Sequence, residues 1–325
     1  MSDSKRVISA LVFLTATVLS GCASYTYSNK SSGEQTTMHP LVFEEPITLL
    51  DVVEANNPAS SRGLITTDVL IEGANLAIQG VKMMIDKSQE KYIQSYAGNL
   101  SNNRFYASNS KIGMLDPDQI SFKGFEITRT FETADKDREV AIFARFVLDE
   151  NKLEDLYFNS KFYLRLDSIS IAYSKVKLND GRWYMPWTMF LKKDHVMNLD
   201  LTIDLTTNWI SDDGTIHSNI PFGQFMLPLR NIPMNPNDPN HDTYFAALQQ
   251  KSVAGSSYII PRSRTFCTND QGELGPCYGR GDFAINVAVT ESSKSDFISK
   301  QLNENSDAIF DNLKGEDLIK AIKKD

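Results

Sequence analysis

The chain has 325 residues, of which 41% are hydrophobic and 10% aromatic, and its formal net charge is -8. That length and composition allow one large or two ordinary domains with a real core, and they exclude a wholly disordered chain. The acidic balance argues against nucleic acid as a partner, because phosphate contacts need clustered Lys and Arg.

The N-terminal 21 residues show the features of a secretory signal peptide in the expected order. Lys5 and Arg6 supply positive charge, and residues 7–18 form an apolar run suited to export and too short to span a bilayer comfortably. The next four residues are Leu19-Ser20-Gly21-Cys22. They resemble the lipobox of bacterial lipoproteins, which reads Leu, a small residue, Gly and then Cys.

This resemblance implies that residues 1–21 are a lipoprotein signal peptide, cleaved before Cys22, and that Cys22 is then acylated. The membrane is therefore an expected partner, through the lipid on Cys22. Ala23, where some lipoproteins carry Asp, suggests sorting to the outer membrane, with the protein facing the periplasm or the cell surface. An ordinary signal peptide that happens to contain a Cys is the alternative.

The segment after the lipobox is predicted to be flexible and then helical. Ser, Thr, Asn, Tyr and Gly dominate residues 22–45, which is typical of a flexible tether. Residues 46–110 are predicted to be a helical segment, because Pro46 suits the first position of a helix. Its main part is a long helix from about Thr66 to Tyr96, where apolar residues recur at spacings of three, four and seven.

Residues 111–290 show a two-residue period, which predicts an antiparallel β-sandwich-like domain or an open barrel. The clearest strand is Met197 to Leu205, where apolar and polar residues alternate strictly, so one face should be dry and the other wet. A shift in the apolar phase predicts a bulge near Asp167 or Ser168. Residues 291–325 are predicted to be a helical tail, so the fold class is mainly β with α.

Cys267 and Cys277 remain as a pair if Cys22 is acylated. They bracket a short loop rich in Asn, Asp, Gly and Pro, and in an oxidising compartment a disulfide would close that loop. A metal site is the alternative, but this spacing with no nearby His is a poor zinc pattern.

Two groups of residues are candidates for binding. Trp183 and Trp187 belong to an aromatic cluster that suits either a partner surface or the core. Asp200 and Asp204 lie on the polar face of the clearest strand. They either line an acidic groove for a cation or basic partner, or belong to a face that is solvated or hydrogen-bonded to neighbours.

The loop of residues 235–242 carries many oxygen ligands, and Asp238 and Asp242 are a weak candidate site for calcium, although the EF-hand spacing is missing. The four His residues form no zinc-hydrolase pattern, and the chain has no Gly-x-Ser-x-Gly motif. We therefore expect no catalytic residues, no cofactor and no resident metal.

These patterns favour a membrane-anchored envelope lipoprotein that acts as a non-enzymatic binding or assembly module for an envelope protein, for example in secretion or as an immunity protein. The alternative is an envelope hydrolase or glycan-binding lipoprotein that uses the aromatic cluster and the scattered carboxylates.

Overall fold

The computed structural model describes residues 27, 32–48, 92–107, 119–178, 196–268 and 272–293, without the side chains of residues 157, 158, 267, 276 and 277. Most of these residues lie in antiparallel strands of two packed sheets. Sheet I contains, in spatial order, β1 (Gln35–Thr48), β3 (Gln119–Glu132), β4 (Arg138–Leu148), β6 (Leu164–Ile171) and β9 (Lys251–Ser252).

Sheet II contains, in spatial order, β2 (Ile93–Arg104), β13 (Asp282–Ser292), β7 (Val196–Ile210), β8 (Ile216–Pro233), β10 (Ala254–Tyr258) and β5 (Lys161–Phe162). A separate hairpin pairs β11 (Arg264–Thr268) with β12 (Leu274–Tyr278). The described helices are short: a 3-10 turn (Glu150–Lys152), α1 (Leu153–Asn159) and α2 (His241–Leu248). None of them is long and apolar enough to span a membrane.

The two sheets are joined at one corner by strands that bend from one sheet into the other. The chain passes from β5 to β6 through Tyr163, and from β9 to β10 through Val253. β6 pairs with β9 in sheet I, and β5 pairs with β10 in sheet II. The Val253 N–H donates to the Leu164 carbonyl at 2.9 Å, so pairing continues around the corner. The remaining free edges, β1 and β2, face each other, and the domain is therefore intermediate between a sandwich and an open barrel.

The core between the sheets is strongly aromatic. Phe122 of sheet I meets Phe283 of sheet II edge-to-face, with ring centroids 5.0 Å apart. Phe105 follows β2 and packs on both rings, with centroids 6.1 and 6.3 Å away. Such pairs contribute about 0.5–1.5 kcal/mol each beyond the burial of their area.

The β-sandwich-like prediction is confirmed, and several strand predictions hold in detail. Every second residue from Met197 to Leu205 is buried in the core, as the alternation in β7 predicts. The prediction that the opposite face is wet is wrong at Asn198 and Asp204, which are also buried. The bulge is at Asp167, because Arg145 lies opposite Ser168 while Phe146 lies opposite Leu166.

The predictions for the N-terminal part are wrong where the structure describes it. The tether of residues 22–45 overlaps β1, whose polar sequence is stable because it is an edge strand paired on one side with β3. The helical segment of residues 46–110 is strand at residues 46–48 and 93–104. Tyr92 and Tyr96 have helical spacing, but pairing with β13 places Tyr96 opposite Val289.

The other helical predictions fall largely outside the described residues. β13 includes Glu291 and Ser292, so the predicted tail of residues 291–325 does not begin at residue 291. The rest of that tail, and the long helix before residue 92, lie outside the residues described.

Candidate functional site

The two ends of the sandwich differ in chemistry. We call one of them the network end. There β1 and β2 start, and β3, β6 and β13 finish. At the other, the hairpin end, the β7–β8 turn projects beyond the sheets and the β11–β12 hairpin lies beside it. Tyr27 lies at the network end, because its carbonyl accepts from the Ser174 N–H at 2.8 Å. Glu34 lies there too, because it forms an ion pair with Arg129 near the end of β3.

Exposed apolar side chains are concentrated at the hairpin end, and we call this set the hairpin surface. Its members are Ile210, Ile216, Phe266, Leu274 and Tyr278. Ile216 is 75% exposed, Leu274 72% and Phe266 61%. Monomers rarely expose large apolar side chains together without a binding role.

The β7–β8 turn of the hairpin surface is held by side-chain hydrogen bonds. The Asp213 carboxylate accepts from the Thr215 N–H at 2.9 Å and from its hydroxyl at 2.8 Å. The Ser211 hydroxyl also donates to this carboxylate, and its hydrogen bond contributes most to lowering the Asp213 pKa. Together with the two bonds from Thr215, it lowers that pKa to about 2. The indole of Trp209 stacks on the ring of His217 across the hairpin at 4.3 Å.

The two hairpins are also tied to each other. The Ile210 N–H donates to the Ser263 hydroxyl at 3.0 Å, and the Arg264 guanidinium donates to the Asp212 carbonyl. The apolar side chains are therefore presented by a preorganised pair of hairpins rather than by a free loop.

The predicted acidic face is the outer face of sheet II, and its carboxylates are engaged by neighbours. Asp200 forms an ion pair with Arg230 at 2.6 Å, and Asp204 accepts from the Gln224 amide at 2.9 Å. Burial raises the pKa of Asp204 to about 6, which the Gln224 hydrogen bond only partly opposes. Burial also raises the pKa of Asp200, against the opposing effect of Arg230. This geometry corresponds to the hydrogen-bonded interpretation of the face.

The network end contains a buried set of charges, the ion network, which consists of Glu34, Arg129, Lys175 and Glu291. The side chains of Arg129 and Glu291 are both 0% exposed. Arg129 donates to Glu34 at 2.5 Å and to the Tyr173 carbonyl at 2.8 Å. Burial lowers the pKa of Arg129, but the neighbouring negative charges, Glu291 first, outweigh it and leave that pKa raised.

Sequence reasoning missed Arg129 and Glu291, although a signal for both was present. Arg129 continues the inward face of Phe125 and Ile127 in β3. Glu291 continues the inward face of β13 after Val289. A charged residue at an inward position on each of two facing sheets predicts a buried ion pair.

The other predicted site residues are placed as follows. Cys22, Trp183 and Trp187 lie outside the described residues. Cys267 pairs in register with Gly275, and Cys277 with Thr265, so the cysteines are two positions apart along the ladder. Diagonal neighbours of this kind have Cα atoms about 7–8 Å apart, which is more than a disulfide usually spans. This register therefore does not support the predicted disulfide.

The weak calcium candidates form local hydrogen bonds. The Asp238 carboxylate accepts from the Asn240 N–H at 2.9 Å, and Asp242 contacts the His241 ring at 2.9 Å. Within the described ranges, no three His, Cys, Asp or Glu side chains come together as a metal site.

Comparisons of the chain with models of known families, with curated proteins and with solved structures give no match. The candidate surfaces therefore rest on the geometry of this chain alone.

Proposed function

We propose that the chain is an outer-membrane lipoprotein that acts as a non-enzymatic binding module and presents its hairpin surface to an envelope protein. The observation that carries the proposal is the polarity of the fold. Chain entry, marked by Tyr27 and Glu34, is at the network end, and five of the eight large exposed apolar side chains in the described part of the chain form the hairpin surface at the opposite end. A lipid on Cys22 would hold the network end near the bilayer and direct the hairpin surface away from it.

The hairpin surface suits a protein partner. Aliphatic and aromatic side chains on hydrogen-bonded hairpin strands lose less conformational entropy on burial than those on a free loop. The surrounding Arg264 and Asp213 supply charges of both signs for a polar rim. A disulfide between Cys267 and Cys277 would stiffen the β11–β12 hairpin in an oxidising envelope, but it would require a shift in the register of that hairpin.

Site-specific photo-crosslinking in intact cells tests this function. A photoreactive residue placed at Ile216 should give a discrete adduct with an envelope protein, and Leu274→Ser should weaken that adduct. The same residue at Val42, a 62% exposed position on β1, is the control and should give no such adduct. Equal adducts from both positions, or an adduct only with a second copy of the chain, would contradict the proposal.

A further inference from the structure

We propose that Arg129 and Lys175 form a carboxylate-binding site, which Glu34 fills from within the chain and which accepts a carboxylate of another molecule when Glu34 rotates out. The inference goes beyond the proposed function, and it does not depend on the lipid at Cys22. It rests on the unequal roles of the two carboxylates in the ion network.

Glu291 is a fixed part of the core. Its carboxylate accepts from the Ser174 hydroxyl at 2.9 Å and from the Lys175 N–H at 2.6 Å, and it lies 3.5 Å from the Arg129 guanidinium. The side chain is 0% exposed and is held by the buried end of β13. Glu291 therefore cannot leave without opening the sandwich.

Glu34 is held by the two cations instead. One carboxylate oxygen accepts from the Arg129 guanidinium at 2.5 Å, and the other from the Lys175 ammonium at 2.6 Å. The Glu34 side chain is 19% exposed and that of Lys175 is 18% exposed, so Glu34 is the solvent-facing carboxylate of the ion network. Two cations that each take one oxygen of the same carboxylate form a geometry typical of carboxylate recognition.

The two cations are positioned by groups other than Glu34. The guanidinium of Arg129 lies 5.1 Å and the ammonium of Lys175 lies 5.9 Å from the centre of the Tyr96 ring. Arg129 also donates to the Tyr173 carbonyl at 2.8 Å. Its Nε atom is buried and has no hydrogen-bond partner among the described residues. The site is therefore largely preformed when Glu34 is absent.

Glu34 can leave this site without disturbing either sheet. It lies between Ser32, whose carbonyl accepts from the Glu132 N–H at 2.8 Å, and Gln35, the first residue of β1 that pairs with β3. Gly33, the residue before it, has a φ of +55° and lies so close to Glu132 that a Cβ atom there would collide with that side chain. The chain thus turns sharply at Gly33. Rotation of the Glu34 side chain about its own torsion angles leaves the backbone contacts with β3 on both sides of it in place.

Chemical rescue of Glu34→Ala in the full chain tests the site with acetate as the probe. The substitution leaves Arg129 and Lys175 facing one carboxylate, and hydrogen exchange of amides around Ser174 and Thr130 should accelerate. Saturating acetate should slow that exchange about tenfold or more, as expected for recovered charge-assisted hydrogen bonds. Acetamide and chloride at equal concentration should not slow the exchange. Glu45→Ala, the same change further along β1, is the matched control and should not respond.

Three outcomes would overturn the proposal. Acetate and acetamide acting alike would show that no carboxylate is recognised, and an equal response of Glu45→Ala would show a general effect of acetate. Rescue that survives Lys175→Met in the Glu34→Ala background would exclude the two-cation geometry. If Glu34→Ala does not fold in plain buffer, the same titration follows refolding, and failure to refold at any acetate concentration also overturns it.

Discussion

Arg129 and Glu291 face each other across the two sheets, with 3.5 Å between the guanidinium and the carboxylate and with both side chains fully buried. Each lies at an inward position of a strand whose other inward residues are apolar. Removing one member of such a pair leaves the other charge buried, whereas removing both can be nearly neutral.

We therefore expect Arg129→Met to lower the free energy of unfolding by about 3 kcal/mol or more. Adding Glu291→Leu should recover most of that loss, because Glu34 and Lys175 then balance each other. Urea denaturation of the two variants measures both quantities. Asp282→Asn, which breaks the exposed pair Arg104–Asp282, is the control and should cost less than about 1 kcal/mol. A double variant no more stable than Arg129→Met would contradict this account.

Asp204 should make the protein less stable as the pH rises from about 4 to above 6. Its folded-state pKa is about 6, above the ordinary 3.8, because the carboxyl is buried. The folded state therefore holds the proton more tightly, and this contribution to stability is complete below pH 4 and lost as the pH rises through 6.

Asp204→Asn should remove that pH dependence and stabilise the protein above pH 7 by up to about 3 kcal/mol. Urea denaturation of wild type and variant at pH 4.5 and 7.5 checks this. Asp135→Asn, the same substitution in an exposed turn, is the control for replacing a carboxyl group. A stability difference between wild type and Asp204→Asn that is the same at both pH values would show that Asp204 does not titrate in this window.

Alanine substitutions at Gly124 and Gly214 distinguish the cost of a steric collision from the cost of backbone strain. Both have positive φ, but a Cβ at Gly124 would collide with the Phe146 carbonyl, whereas nothing lies within 4 Å of one at Gly214. Gly214→Ala should cost about 1 kcal/mol through strain alone, and Gly124→Ala at least about 2 kcal/mol more. Thermal unfolding of both variants makes the comparison, and equal losses would mean that β3 and β4 adjust around the methyl group.

Cys22→Ser should abolish lipid labelling and release the protein from the membrane fraction. The reason is that the thiol of Cys22 would be the attachment point of the acyl chain if the lipobox interpretation is correct. Metabolic labelling with a fatty acid analogue, followed by fractionation, measures both effects. Ser20→Ala, which keeps a small residue in the lipobox, should remain labelled. Continued membrane retention of Cys22→Ser would refute the anchor.

If the β11–β12 register shifts and the predicted disulfide forms, Cys267 and Cys277 should resist thiol alkylation in the denatured, unreduced protein. Cys267→Ser should expose one reactive thiol at Cys277, detectable by mass after alkylation. Loss of the disulfide should lower the free energy of unfolding by about 2–3 kcal/mol in the chain-entropy model. Full alkylation of both cysteines without reductant would show that they are not paired.

Strands with strict alternation could be predicted from the sequence, and strands defined by their partners could not. β7 and β13 alternate cleanly because both lie inside sheet II with one face in the core. β1 buries little besides Met38, so its sequence resembles a linker. The bends at Tyr163 and Val253 have no local signal, because pairing between distant segments creates them.

The candidate binding residues were also predictable only where the local sequence alone determines their position. Asp200 and Asp204 were placed on the correct face by alternation alone, but their partners Arg230 and Gln224 depend on the register of β8. Glu34 could not be identified at all, because it precedes β1 and reaches the ion network only through the packing of both sheets.

The course of β1 also determines how the domain would carry mechanical load. β1 begins at the network end, near the proposed anchor, and runs antiparallel to β3 toward the hairpin end. Tension between a membrane and a partner at the hairpin surface would pull along this strand rather than across it. The β1–β3 hydrogen bonds would then be loaded together in shear and would not open one after another. With the anchor and the partner where we propose them, the β1–β3 pairing would resist a force directed along β1.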